Sequence, residues 1–310
     1  MIRELRKSDA PRVLQFLTTH FPEEERLLGT RPEGFATVVR RVFRWDTQLA
    51  IRIARRLGRP VFRFFVVEED GQIVATTLLS FPERSGYVSM VAVDPAYRRR
   101  GHARELLELA RATTRATGRK FIALDVLAGN TPARTLYEGL GYRPLRETAF
   151  VVREPGAPPT GAPSPAVRPF RRADAGPLLE ISRRAVPPEV EEVLPVRASA
   201  LRPSSMGDRM LASERVAWVI DRGAGAEAYL SATWTPATDA GHFSEPIVGE
   251  GLPPADTAAL VRTAIDWCVS HGSPRIVAQV PVANVRGHAA LEGGGFRDAF
   301  AIWTLYRSAV

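Results

Sequence analysis

The chain repeats itself. Ile276 to Arg297 runs beside Ile122 to Arg143 without a gap: Asn284 falls on Asn130, Glu292 on Glu138, Gly293 on Gly139, Gly295 on Gly141 and Phe296 on Tyr142. A second echo lies at the other end of each half, where Val167-Arg168-Pro169-Phe170-Arg171-Arg172-Ala173-Asp174-Ala175 follows Ile2-Arg3-Glu4-Leu5-Arg6-Lys7-Ser8-Asp9-Ala10. Two matches in the same order, each at the same place in its half, imply two copies of one fold. Between them stands Pro155-Gly-Ala-Pro-Pro-Thr-Gly-Ala-Pro-Ser-Pro165, which can form no core and makes a stiff spacer. The expected organisation is therefore a first domain over 1–153, a linker over 154–165 and a second domain over 166–310. A length of 310 residues suits two domains.

The first half alternates strand and helix patterns. Ile2 to Leu5 reads as a strand, and Ser8-Asp9-Ala10-Pro11 opens a helix. Residues 21–34 read as a loop. Residues 35–58 read as a helix with Val38, Val39, Val42, Leu49, Ile53 and Leu57 on one face and Arg40, Arg41, Arg44, Arg52, Arg55 and Arg56 on the other. Asp70-Gly71 between Val61–Val67 and Ile73–Phe81 marks a hairpin. A further strand starts at Tyr87, a helix runs from Gly101 to Thr117, and Phe121 to Val126 reads as a buried strand. A helix over Thr131–Leu140 and a last strand over Leu145–Val152 complete the half.

Chemistry concentrates between Tyr87 and Arg143. A strand ending Val91-Ala92-Val93-Asp94-Pro95 runs into Arg98-Arg99-Arg100-Gly101-His102-Ala103 at a helix start. Unpaired N–H groups and the helix dipole make such a place an anion site. The pattern Arg98-x-x-Gly101-x-Ala103, the strand before it and the block Asn130-x-x-Ala133-x-x-Leu136-Tyr137-Glu138-x-x-Gly141-Tyr142 together resemble the GNAT superfamily of acyl-CoA-dependent N-acyltransferases. The resemblance covers about 1–153 well and 166–310 in part. It implies an α/β (α+β) chain of two tandem GNAT-like domains, each a mixed, mostly antiparallel, splayed sheet flanked by helices. It implies acetyl-CoA as co-substrate, its pyrophosphate held by the backbone of Arg98, Arg99, Arg100, Gly101, His102 and Ala103. The backbone of Val91 and Val93 would meet the pantetheine arm, and Asn130 would bond that arm or the following turn. Tyr137 stands where the family places the acid that protonates the leaving thiolate; a half-buried core tyrosine is the other reading. Where many members place a carboxylate base this chain has Tyr87 and Ser89, neither a carboxylate; the nearest acid is Glu83, and a water held by backbone carbonyls is an equal candidate.

The second half departs from the pattern. Val248-Gly249-Glu250-Gly251-Leu252-Pro253-Pro254-Ala255-Asp256 precedes its long helix, with no glycine loop, two prolines without N–H donors and two acids. Leu291 replaces Tyr137. This copy is expected to bind no coenzyme A productively, to pack on the first and to wall off the acceptor site. The implied reaction is acyl transfer to a primary amine of a small molecule or peptide. Two other readings stand beside it: a non-catalytic acetyl-CoA-binding regulatory module, and a nucleic-acid-associated acetyltransferase using the basic helix at 40–59, which no nucleic-acid motif supports.

Composition adds little. A net charge of +8, almost all arginine, fits an anionic ligand and equally a solvated surface. Cys268 is the only cysteine, so no intrachain disulfide or cysteine-based zinc site forms. The five histidines show no metal spacing, and no metal is expected. No apolar run reaches membrane-spanning length and no signal-peptide core opens the chain, so a cytoplasmic monomer or homodimer without membrane contact is the expectation.

Overall fold

The computed structural model describes residues 1–20, 61–82, 84–156, 164–198, 200–201, 213–235 and 238–310, with Leu49, Ile51–Ile53 and Arg56. The loop expected at 21–34, most of the helix expected at 35–58 and the acid Glu83 lie outside these residues. Of that helix, Ile51 is buried while Leu49 and Ile53 are exposed. The inward face thus passes through Ile51, because residues two apart lie on opposite sides of a helix.

The first half runs β1 (Ile2–Glu4), α1 (Ala10–His20), β2 (Phe62–Glu69), β3 (Gln72–Ser80), β4 (Ser85–Val93), α2 (His102–Ala116), β5 (Phe121–Leu127), α3 (Thr131–Glu138) and β6 (Arg143–Arg153). The second runs β7 (Val167–Pro169), α4 (Ala175–Ala185), α5 (Pro188–Val193), β8 (Glu214–Asp221), β9 (Ala226–Trp234), β10 (Ala240–Phe243), β11 (Ile247–Val248), α6 (Pro254–Ser270), β12 (Arg275–Pro281), α7 (Val285–Gly293) and β13 (Arg297–Ser308). The hairpin at Asp70-Gly71 forms as expected: both residues have positive φ, 49° and 74°, the two-residue turn that suits twisted strands.

The repeated N-terminal motif has a clear structural purpose. Arg3 donates to both oxygens of Asp9 at 2.5 and 3.0 Å, and Arg168 does the same to Asp174 at 2.8 Å each. Each carboxylate also accepts the N–H of Arg6 or Arg171 at the helix entry. Each arginine then reaches across to the next strand, at Glu68 or Asp221. Asp9 is 1% exposed, and Arg3 holds its carboxyl well below the usual carboxylate range.

The strands form one continuous sheet in the order β1-β2-β3-β4-β5-β13-β6-β12-β10-β9-β8-β7, with β11 also on β9. Its centre departs from the simple division at 154–165. The last strand of each half has crossed to the other: β13 pairs with β5 from Ile302↔Leu127 to Ser308↔Phe121, and β6 pairs with β12 from Ile276↔Arg153 to Pro281↔Thr148. β6 and β13 pair with each other between them. Each half in sequence is thus one strand short in space. Strands buried on both sides read as apolar runs whatever neighbour they have, so the pattern could not reveal the exchange.

On one face, α2 packs on the core of Leu79, Val88, Leu106, Leu107, Ile122 and Leu124. On the other, α5 of the second half reaches the first-half sheet. Val193 and Leu194 pack with Tyr87, Ala123 and Tyr306, Ser85 Oγ donates to the Val193 carbonyl at 2.5 Å, and the Tyr306 hydroxyl donates to Glu189. The second half has its own core around Leu230, Leu260, Ile265, Ile276 and Phe296, where Cys268 is fully buried.

Candidate functional site

β4 parts from β5 halfway along. The parallel ladder covers Ser85↔Phe121 to Val88↔Leu124 and stops. β3 stays with β4 to Val93, and β5 continues against β13. A cleft opens between β4 and β5 beyond Val88. Inside it the register on β3 slips between Thr76 and Leu78, and Met90 stands at φ 54°. A non-glycine residue at positive φ in a strand is a bulge, and bulges mark places where a strand is re-aimed. Thr76 and Thr77 secure it by donating their hydroxyls to the Met90 and Ser89 carbonyls at 3.1 and 3.3 Å.

The bulge decides which backbone groups face the cleft. Asp94 donates its N–H to the Val74 carbonyl on β3. Antiparallel groups alternate, so those of Ala92 point to β3 while those of Val91 and Val93 point to the open edge. The Val93 carbonyl accepts from Arg98 Nε at 3.2 Å.

The glycine loop follows at the mouth. Gly101 caps α2 at φ 91°, and Arg99 stands at φ 64°. No described acceptor takes the N–H groups from Arg99 to Arg104; the first paired donor of the helix is Glu105, to the Gly101 carbonyl. Arg98, Arg99 and Arg100 are exposed, and Arg100 lies over the Tyr97 ring and 3.5 Å from Glu69. The His102 ring is buried, its Nε2 3.2 Å from Glu69 Oε1 without hydrogen-bond geometry, so its backbone rather than its ring faces the loop's open side. Ala103 is half-buried in the first turn. An array of unpaired N–H groups with three cations beside it suits a polyanion.

Asn130 caps α3, its Oδ1 accepting the Ala133 N–H at 3.2 Å. That is the following-turn alternative, and among the described residues no acceptor takes the side-chain NH₂. Tyr137 is 5% exposed within the first-half core, 6.2 Å from Tyr142 between ring centroids. Burial pushes its hydroxyl up to about 12, so it holds its proton at neutral pH. Among the described residues no group bonds this hydroxyl, and it is not one of the sealed unpartnered polar atoms, so it opens to solvent. Val91, Val93 and Tyr137 belong to one hydrophobic cluster of the first half.

The second half carries the same cleft in another state. β10 pairs with β12 from Ala240↔Arg275 to Phe243↔Ala278, then breaks, and β11 resumes on β9 alone. Laying this ladder on that of β4 and β5 puts Glu245 on Met90, Pro246 on Val91 and Val248 on Val93. Pro246 has no N–H to offer. Asn284 caps α7 as Asn130 caps α3, but its Nδ2 crosses the cleft to Glu245 Oε1 at 3.0 Å and the Pro246 carbonyl at 2.9 Å. Arg286 crosses to the Val248 carbonyl at 3.1 Å. Pro253 caps α6, and Ser164 of the linker donates to Asp256 in its first turn. Leu291 is fully buried. Pro253 and Pro254 stand out in the sequence itself, whereas what Pro246, Asn284 and Arg286 cover shows only when the halves are overlaid strand by strand.

Comparison with known proteins agrees with this geometry. Residues 24–142 match the acetyltransferase (GNAT) family model. A tandem GNAT protein from the clavulanic acid biosynthesis pathway, solved without AcCoA, is 17% identical, with a TM-score of 0.66 over 100% of this chain and 98% of its own. A GCN5-related N-acetyltransferase from Sphaerobacter thermophilus is 16% identical, with a TM-score of 0.61 over 100% of this chain and 95% of its own. Residues 24–142 thus carry a GNAT acetyltransferase domain, and the whole length shares the fold of tandem GNAT proteins.

Proposed function

We propose that the chain transfers an acetyl group from acetyl-CoA to a primary amine at the first-half cleft alone. The observation that carries this reading is the contrast at equivalent backbone positions. Val91 faces an open cleft beside an unpaired N–H array, while the equivalent Pro246 has no N–H and its carbonyl is taken by Asn284; the Val93 and Val248 carbonyls are each met by an arginine, Arg98 and Arg286.

The loop from Arg98 to Ala103 would hold the pyrophosphate, and Gly101 lets its backbone come close. The Val91 and Val93 groups would pair with the pantetheine arm, and a strand N–H there can polarise the thioester carbonyl. A neutral amine attacks that carbonyl, the C–N bond forms and the C–S bond breaks. The departing thiolate takes the Tyr137 proton, the nitrogen releases its proton to water, and the Tyr137 phenolate is re-protonated from solvent. Burial keeps the Tyr137 phenol protonated and so available at neutral pH, while making it a weaker acid than a free tyrosine. The second half completes the sheet and packs α5 against the face that bears Tyr87.

Calorimetric titration of the full chain with acetyl-CoA tests the reading, followed by thiol release with an amine panel. One site per chain and amine-dependent thiol release are expected. Two equivalent sites would sink the one-cleft assignment, and binding without turnover would favour the regulatory module.

A further inference from the structure

Beside the first cleft, on the sheet face covered by α5, three polar residues lie in a row on neighbouring strands. The register places Asp125 on β5, Thr304 on β13 and Arg146 on β6 directly abreast. Thr304 donates its hydroxyl to Asp125 Oδ1 at 2.7 Å. Asp125 is exposed although its strand neighbours Leu124 and Val126 are buried. Tyr87 stands at the near end of the row; burial and the Asp125 carboxylate push its hydroxyl well above the usual range, so it remains a proton donor. The row exists only because β13 has crossed into the first half.

Arg146 is the unusual member. It is half-buried, its Nε is sealed from solvent without a partner, and among the described residues it makes no hydrogen bond or ion pair. Asp125 accepts from Thr304, and Glu245, whose carboxyl burial raises and the Arg146 charge lowers, accepts from Asn284; neither forms a hydrogen-bonded pair with Arg146. A half-buried guanidinium with no hydrogen-bonded anion is costly unless something else supplies one. Its planar donor fork matches a carboxylate.

We propose that the acceptor is a primary amine that also bears a carboxylate, an amino acid or a peptide with its free C-terminus, with Arg146 holding the carboxylate and Asp125 facing the amino end. This rests on the acetyl-transfer reading above. Strands two apart in a sheet stand about 10 Å apart at their backbones. Asp125 and Arg146 thus approach a shared small molecule from either side without neutralising each other.

The test uses the full chain, acetyl-CoA and paired probes: L-amino acids and dipeptides, each beside its C-terminal carboxamide. The carboxylate member of each productive pair is expected to be preferred at least 10-fold in kcat/KM. Arg146→Met should collapse that ratio toward one, and Arg146→Lys should restore part of it. Melting temperature and acetyl-CoA affinity, measured alongside, separate this from misfolding. Equal use of both members, turnover of the carboxamides alone, an unchanged ratio in Arg146→Met, or no turnover of any probe while acetyl-CoA binds would each overturn the proposal. Failure to bind acetyl-CoA would overturn the acetyl-transfer reading with it.

Discussion

The two halves share a cleft and use it in opposite ways. In the first, a bulge at Met90 turns the backbone of Val91 and Val93 toward an open edge, and the residue on the facing helix, Asn130, spends only its oxygen on the cap. In the second, Asn284 makes the same cap and then bridges the gap with its nitrogen, while Pro246 lacks the donor altogether. A family cleft is therefore not a binding site by virtue of its shape. What separates the two is whether the chain satisfies its own strand carbonyls and amides or leaves them for a ligand.

Four experiments press on that difference. The largest effect is expected where the halves depend on each other. Removing 297–310 takes β13 from between β5 and β6, and the chain should lose its soluble, cooperatively melting fold altogether, as read by circular dichroism and size-exclusion chromatography. A stable, acetyl-CoA-binding truncation would show that the exchange is dispensable. Next comes Tyr137→Phe, which removes the proposed proton donor, a hydroxyl that Leu291 does not supply in the second half. We expect kcat to fall about 100-fold, the scale of a general acid, with acetyl-CoA affinity little changed. Because the Tyr137 hydroxyl is raised to about 12, its proton stays in place through neutral and mildly basic pH. The wild-type rate should accordingly show no falling limb from this group between pH 7 and 10, and a fall near pH 8 would disqualify it.

Gly101→Ala should act more mildly. The position has φ 91° with no atom near the added Cβ, so its cost is backbone strain of about 1–3 kcal/mol, or roughly 5- to 150-fold in acetyl-CoA Kd. The smallest effect belongs to the second cleft. Freeing its carbonyls with Asn284→Ala and Arg286→Ala should leave calorimetric stoichiometry at one acetyl-CoA per chain, because Pro246, Pro253 and Pro254 still lack donors. A second site appearing in that double variant would mean the side-chain bridges alone had closed it.

Much of this was legible in the sequence for a physical reason. A tight turn, a glycine loop at a helix start and a capping asparagine are local, so residues such as Asp70-Gly71, Gly101 and Asn130 announce themselves. The doubling was legible because Arg3 and Asp9 must recur as Arg168 and Asp174 to close the same helix entry. The features that stayed hidden depend on partners far along the chain. Nothing in Arg297–Ser308 says that it belongs beside β5 rather than in its own half. Asp125 is a single charge in an apolar run, a visible anomaly whose meaning needs Thr304 and Arg146 next to it. The basic helix at 40–59, on which the nucleic-acid reading rested, lies for the most part outside the described residues.

The strand exchange also orders events in time. Asp125 meets its partner Thr304 across 179 residues of chain. At synthesis rates of about 5–20 residues per second, the interval is roughly 10–35 s. Through that interval β5 has an open edge of apolar backbone, next to the cleft that is to hold the donor. The first half is made early, yet its sheet closes only once Arg297–Ser308 has been made.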